Sequence, residues 1–274
     1  MTAGWRAHLS LHYTRDGERT IALDRHEGPL RVLQRLYPEG PGICHHVIVH
    51  PPGGVVAGDR LEVDARLDAG THAVVTTPGA TRFYRSTGAD AVQQATLSLA
   101  DGARLEWLPL EAIAHRDCQA ENRVSLQLAP GAQALGWDVL ALGLPAAGEA
   151  FDRGCFLQHL ELPGAWLERG LLRGDDALLL DSPLGLGGRR VLATLWLVAG
   201  AAWPNVRRDA LLDAARAEIG DAQAGVTAAH PQVIVLRALA ARVEPAMQLL
   251  QRVRAAWRQV AWGLAAEPPR VWRT

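Results

Sequence analysis

The order of apolar and polar residues predicts that the chain is mainly β-structure up to about residue 200. Apolar side chains recur at every second position over residues 97–99, 105–107, 124–128 and 135–139. A period of two is typical of strands that bury one face. Four segments place a glycine turn between two such runs, and the turn glycines follow one another at intervals of 32, 29 and 33 residues: Gly70, Gly102, Gly131 and Gly164.

This spacing indicates a weak internal repeat of strand, glycine turn and strand. Repeats of this length form a β-helical, solenoid-like body when each unit buries its apolar face on the next unit. An ordinary β-sandwich with similar turns is the alternative, and the pattern alone does not separate the two folds.

The pattern changes after Pro204. A helical run begins at Asn205, a residue suited to an N-cap, and stops at Gly220. A second helical run starts near Pro245 and places apolar residues three or four positions apart up to residue 264. We therefore expect a single domain over residues 1–274, with a β body over about residues 1–200 and a small C-terminal helical part over about residues 204–264.

Composition and charge exclude several functions. The net charge is -1 and all 28 basic residues are arginine, so no excess of positive charge favours nucleic acid, and a P-loop or Schiff-base lysine is absent. The longest apolar runs are too short to span a membrane. Three cysteines, Cys44, Cys118 and Cys155, lie far apart; this argues against a disulfide framework and favours the cytoplasm.

The densest candidate chemistry lies in CHHVIVHPPGGVVAGD, residues 44–59. Strand alternation would place Cys44, His46 and His50 on one face, and thiolate and imidazole groups suit Ni²⁺, copper or Zn²⁺. A transient metal contact is one interpretation. A buried cysteine and hydrogen-bonded histidines beside a rigid Pro-Pro-Gly-Gly turn are the other, and the sequence favours the second.

Two further groups of polar residues remain open. Arg82 and Tyr84 follow a turn together with Arg85, which predicts either a partner-binding patch or a solvated strand edge. Carboxylates also occur within or just after apolar strands, where they either decorate the surface or line an internal cavity: Glu111, Asp138 and Glu168. A nucleophile-elbow GxSxG motif is absent, so we do not expect an enzyme.

Several motifs in a fixed order resemble the urease accessory protein UreD (UreH) family. They are GPLRVLQRLYPEG at 28–40, HPPGGVVAGDRL at 50–61, TTPGATRFYRS at 76–86, LEWLPLEAI at 105–113, GWDVLALGLPAAGEAF at 136–151, DSPLGLGG at 181–188 and PRVWRT at 269–274. Together they span nearly the whole chain. Ala57, Leu110 and Leu144 depart from the residues that the family pattern leads us to expect there, which are Gly, Gln and Arg.

The resemblance implies a non-enzymatic maturation factor with a β-helical body and a small helical part. Such a protein binds apo-urease and UreF, UreF recruits the GTPase UreG, and nickel reaches the buried urease active site. No permanently bound cofactor is expected, although Ni²⁺ is expected to bind transiently.

On this hypothesis, carboxylates and imidazoles inside the β body guide the ion through weak, successive contacts. The residues expected to line this path are Asp59, Asp138 and Glu168, followed by His50 and Glu111. The main alternative is a docking scaffold for apo-urease that does not handle metal. A more distant alternative is an enzyme that uses Cys44 and His46.

Overall fold

The computed structural model describes residues 4–86 and 88–273, so residues 1–3, Thr87 and Thr274 of the expected domain lie outside it. The strands follow in chain order as β1 (Arg6–Asp16), β2 (Arg19–Glu27), β3 (Arg31–Val32), β4 (Ile43–Val49), β5 (Arg60–Leu67), β6 (His72–Thr76), β7 (Thr81–Phe83), β8 (Ala91–Leu99), β9 (Arg104–Leu108), β10 (Ala112–Ala114), β11 (Gln119–Leu128), β12 (Gln133–Leu142), β13 (Cys155–Leu162), β14 (Trp166–Arg173), β15 (Val191–Ala199), β16 (Ala224–His230) and β17 (Val233–Ala240). The α-helices are α1 (Ala177–Asp181), α2 (Asn205–Ile219) and α3 (Val243–Trp262). Single-turn 3₁₀ helices occur at Pro145–Ala147 and Arg270–Arg273.

Two β-sheets face each other across the body. The first sheet has the strand order β14-β13-β11-β8-β5-β1-β2, and the second has the order β16-β17-β15-β12-β9-β6-β4-β3. The central strands of both sheets are parallel, whereas the outer strands β2, β14, β15, β16 and β17 pair in antiparallel fashion. From β4 to β13 the chain alternates between the sheets and makes about four solenoid turns. The predicted solenoid-like fold is confirmed.

Three of the predicted turn glycines mark the corners of this solenoid. Gly70 and Gly102 have φ values of +68°, which glycine adopts without strain, and they connect strands of the first sheet to strands of the second. Gly131 lies at the next such corner, between β11 and β12. Gly164 differs, because it joins β13 to β14 in a hairpin within one sheet. The internal repeat therefore ends at β13, and β14 covers its last strand.

The C-terminal part differs from a continuous helical segment. The two predicted helices are present, although Pro204 rather than Asn205 is the N-cap residue of α2. Between them, β16 and β17 form a hairpin that extends the second sheet. The body of strands therefore continues beyond residue 200, because β17 pairs with both β15 and β16 and buries both of its faces over residues 233–236.

The second sheet separates two hydrophobic cores. The first core lies between the sheets, and the second lies between the outer face of the second sheet and the helices. Helix α3 packs Leu249, Leu250, Val253 and Trp257 into this second core. No helix in the described part of the chain is long and apolar enough to cross a membrane.

Candidate functional site: an interior cavity and a line of polar residues

A cavity of about 270 Å³ lies between the two sheets, near the corner formed by β7 and β10. Most of its lining is apolar and comes from both sheets, for example Leu61 and Val63 from β5 and Trp107 from β9. The polar side chains in the lining are His50, Thr76, Thr77, Thr81, Arg82, Gln93, Gln94, Asn122 and Asp138. Because Arg82 is exposed, the cavity reaches the surface at the 50–54 and 77–82 loops.

The turn at residues 51–54 shapes this mouth. Gly53 donates its backbone N–H to the carbonyl of His50 at 2.9 Å, which closes a tight turn that has the two prolines at its centre. A Cβ on Gly54 would lie 2.1 Å from the ring of Tyr84, so only glycine allows that ring to lie against the turn. Tyr84 also packs on His115, with the ring centroids 4.8 Å apart. Tyr84 is therefore half-buried and braces the mouth, while Arg82 and Arg85 are exposed.

Asp138 is the most deeply placed acidic residue of the cavity, with 4% of its surface exposed. Its two carboxylate oxygens accept hydrogen bonds from Asn122 Nδ2 and Gln158 Nε2, both at 2.6 Å. Burial raises the pKa of Asp138 to about 6, although the two amides oppose this shift and the Glu168 carboxylate adds to it. The contacts that the structure gives this carboxylate are neutral amides, so it holds a charge near neutral pH without a cationic partner.

The amides belong to one row of the first sheet. Gln93, Asn122 and Gln158 stand opposite one another in β8, β11 and β13, and Gln93 donates to Asn122 at 3.3 Å. We call these three residues the amide row. Residues in register on neighbouring strands share one face of a sheet, so the amide row forms a polar line along the solenoid axis through an otherwise apolar interior.

A matching row crosses the second sheet. Asp138 pairs in register with Thr194 on β15, and Thr194 pairs with Arg237 on β17. Arg237 forms a two-pronged ion pair with Glu168 of β14, in which its Nε lies 3.0 Å from Oε1. Glu168 raises the pKa of Arg237 through this contact. The structure therefore places Asp138 and Glu168 along one interior line, with Glu168 at the outer end.

The remaining predicted path residues have different surroundings. His50 lines the cavity, and burial lowers the pKa of its imidazole, opposed by Asp59. Asp59 is buried outside the lining, where its carboxylate accepts the backbone N–H groups of Trp5 at 2.8 Å and Val56 at 3.0 Å. This carboxylate fixes the loop after the turn. Glu111 is half-buried just before β10 and is also outside the cavity lining.

The clustered histidines of residues 44–50 point to three separate places. His45 lies 2.8 Å from Glu39 on the helix side of the second sheet. His46 lies 2.8 Å from the Tyr13 hydroxyl inside the body, and burial lowers its pKa to about 4. His50 reaches the cavity. Among the described residues, no three His, Cys, Asp or Glu side chains converge on one point that could hold a metal ion.

A buried ionic cluster between α3 and the second sheet was missed by sequence reasoning. Glu106 is fully buried and pairs with Arg254 at 2.6 Å and with Arg258 at 3.0 Å. Arg258 also pairs with Glu39, and His72 lies 3.3 Å from Glu106. The sequence does contain a sign of this cluster. The two arginines lie four positions apart in α3, and each directly follows a buried apolar residue.

Sequence comparisons place the chain among known proteins. A sequence profile of the family described as UreD urease accessory protein matches residues 5–273. The chain is 61% identical over 276 residues to a protein of Leptothrix cholodnii named Urease accessory protein UreD, and the match covers 98% of this chain and 99% of that protein. Proteins of the same name from Paracidovorax citrulli and Verminephrobacter eiseniae are each 58% identical over 273 residues, with the same coverage.

Proposed function

Because this chain belongs to the urease accessory protein UreD family, we propose that it delivers nickel to the urease active site through its own interior. The chain acts as a maturation factor and not as an enzyme. Its family membership supports a role in urease maturation, and the interior line from the cavity to Glu168 supports direct handling of the ion.

The observation that carries the proposal is the unpaired carboxylate of Asp138. A buried charge is costly unless a partner of opposite sign compensates it. Among the described residues, Asp138 accepts hydrogen bonds from amide donors alone, and it lines a cavity large enough for a hydrated ion. A divalent cation that enters the cavity would supply the missing positive charge, so the site attracts the ion that it is proposed to pass on.

The composition of the line favours passage over storage. Ni²⁺ binds tightly to sets of imidazole, thiolate and carboxylate ligands, and conduction requires contacts that are weak and successive. His50 and Asp138 lie on the cavity, the amide row offers carbonyl oxygens, and Glu168 stands at the far end. Asp59 serves this path indirectly, because its carboxylate holds a loop near the cavity mouth, and the backbone carbonyl of Glu111 accepts the N–H of Thr81 there.

The proposed partners are apo-urease and UreF, with UreG recruited through UreF. The chain has no lysine for a P-loop, so nucleotide hydrolysis would belong to UreG. The exposed Arg82 and Arg85 at the cavity mouth are our candidates for contact with a partner, since arginine is favoured at interfaces. Replacing both by alanine should weaken capture of UreF in a pull-down while the free chain stays folded.

The direct functional test is Asp138→Asn in cells that co-express urease and its accessory proteins. The asparagine keeps the volume and removes the charge, so complexes should assemble while the nickel content of purified urease falls severalfold. Asp64→Asn, an exposed substitution on β5, is the matched control and should leave nickel content unchanged. If Asp138→Asn urease is fully loaded, the chain is a docking scaffold for apo-urease and the metal travels elsewhere.

A further inference from the structure

We infer that Arg237 occupies, in the resting chain, the position that the travelling cation takes at Glu168, and that it must swing aside for the ion to pass. This inference rests on the proposed function and adds to it the residue that controls one end of the path. We call the group formed by Glu168, Gly170 and Arg237 the open end.

The geometry places the guanidinium in direct competition with a metal ion. Both carboxylate oxygens of Glu168 contact Arg237, one through Nε at 3.0 Å and the other through Nη2. The guanidinium fork uses one lone pair on each oxygen and holds a positive charge at contact distance, which repels a second cation at the same carboxylate. Glu168 therefore becomes a favourable ligand for a cation once this contact breaks.

The pair is built so that it can break. The side chain of Arg237 is 54% exposed and that of Glu168 is 20% exposed. Ion pairs in contact with solvent are weak, and water stabilises both groups when they separate. The buried pair between Glu106 and Arg254, with side chains 0% and 2% exposed, offers no comparable release. The ion pair at the open end is therefore suited to exchange, and the buried pair is suited to hold α3 in place.

An opening lies directly beside this pair. Gly170 stands opposite Gln158 of the amide row and belongs to the same face of the first sheet. A Cβ built on Gly170 would meet no atom of the described residues within 4 Å, and the φ of Gly170 lies outside the left-handed region. The missing side chain leaves free space between Gln158, which holds Asp138, and the solvent at Glu168. The interior line can thus be reached from this end.

The first test is nickel binding to the purified chain by calorimetry. Arg237→Gln should bind one additional Ni²⁺ ion, at Glu168. Its affinity for that ion should be at least about tenfold higher than that of the wild type, because a competing charge at contact distance is removed. The added site should disappear in the Arg237→Gln, Glu168→Gln double variant. Arg237→Lys, which keeps the charge, should resemble the wild type. Equal affinity in Arg237→Gln and the wild type would overturn the inference, as would an added site that persists in the double variant.

A second test fills the opening. Gly170→Val should keep the fold, since the strand conformation accepts valine and the space is free, yet it should reduce nickel loading of urease. Leu171→Val, on the opposite, exposed face of β14, is the matched control. Normal loading with Gly170→Val would show that the ion does not use this end. That result is distinguishable from failure of the conduit itself, which the Asp138→Asn experiment decides.

Discussion

At the scale of single residues, two buried carboxylates in this molecule have opposite electrostatic surroundings. Burial would raise the pKa of Glu106, but Arg254, His72 and Arg258 outweigh it and lower the pKa to about 2. Asp138 has amide donors instead of arginines, and its pKa rises to about 6. Glu106 is a compensated structural charge, whereas Asp138 is an uncompensated one. A charge kept without compensation is a frequent sign of a functional site.

This difference predicts how Asp138→Asn changes stability. A carboxylic acid whose folded pKa of about 6 exceeds its ordinary 3.8 binds a proton more tightly in the folded chain. Its contribution to stability is therefore greatest below pH 3.8, falls as the pH rises to 6, and stays low above it. The stability of Asp138→Asn relative to the wild type should therefore rise by on the order of 3 kcal/mol between pH 3.8 and pH 7.

The measurement is urea unfolding of both proteins across pH 4–8, compared as a difference at each pH so that other titrating groups cancel. If the stability of the variant relative to the wild type did not rise between pH 4 and pH 7, the carboxylate would be compensated in the folded chain. The electrostatic argument for a cation in the cavity would then be lost.

At the scale of elements, α3 is fixed to the second sheet by charge as well as by apolar packing. Arg254 and Arg258 lie within the second core and meet Glu106 of β9, 148 residues from Arg254 along the chain. Removing one partner of a buried pair leaves the other partner buried and uncompensated. The ion pairs therefore help to fix the position of α3 on the sheet, because a shift of the helix would separate both arginines from Glu106.

We expect Glu106→Gln to lower the free energy of unfolding by about 3–5 kcal/mol. The loss should be largest above pH 4.5 and should shrink as the pH falls toward 2, because the native carboxylate is then protonated as well. Glu62→Gln on the exposed face of β5 is the control and should change stability by less than about 0.5 kcal/mol. Equal effects of the two substitutions, measured by thermal and urea unfolding, would contradict a structural role for the cluster.

The elements also show what a sequence can and cannot predict. Alternation and turn glycines predicted strands joined by corner turns, because period-two burial and tight turns are local properties. Two helices were predicted for the same reason, whereas the choice of a solenoid over a sandwich came from the family resemblance. The β16–β17 hairpin was missed because its short strands lie between strong helical runs. Its role depends on pairing with β15, and such a long-range contact leaves no local pattern.

At the scale of the whole molecule, the candidate site follows from stacking. Asp138 was predicted as a lining residue, and the structure brings it together with His50 on one cavity. Asn122 and Gln158 were not predicted, because a polar residue in an alternating strand usually faces solvent. The Arg237–Glu168 contact joins residues 69 positions apart. Only the registers of both sheets place these two residues and the amide row on one line.

The stacked architecture also separates the two tasks that we assign to the chain. Loops at the cavity mouth carry the exposed Arg82 and Arg85, while the interior carries the polar line. Substitutions in the first group should affect assembly, and substitutions in the second group should affect metal transfer with assembly intact.

The most direct test of the central claim is the location of the metal inside the protein. Crystals of the chain soaked with Ni²⁺ can be measured at the nickel absorption edge, where an anomalous difference map reports only the ion. Our account predicts a peak between the two sheets within reach of the Asp138 carboxylate, and its loss in Asp138→Asn crystals. Peaks confined to surface histidines, with an interior free of nickel in both proteins, would contradict it.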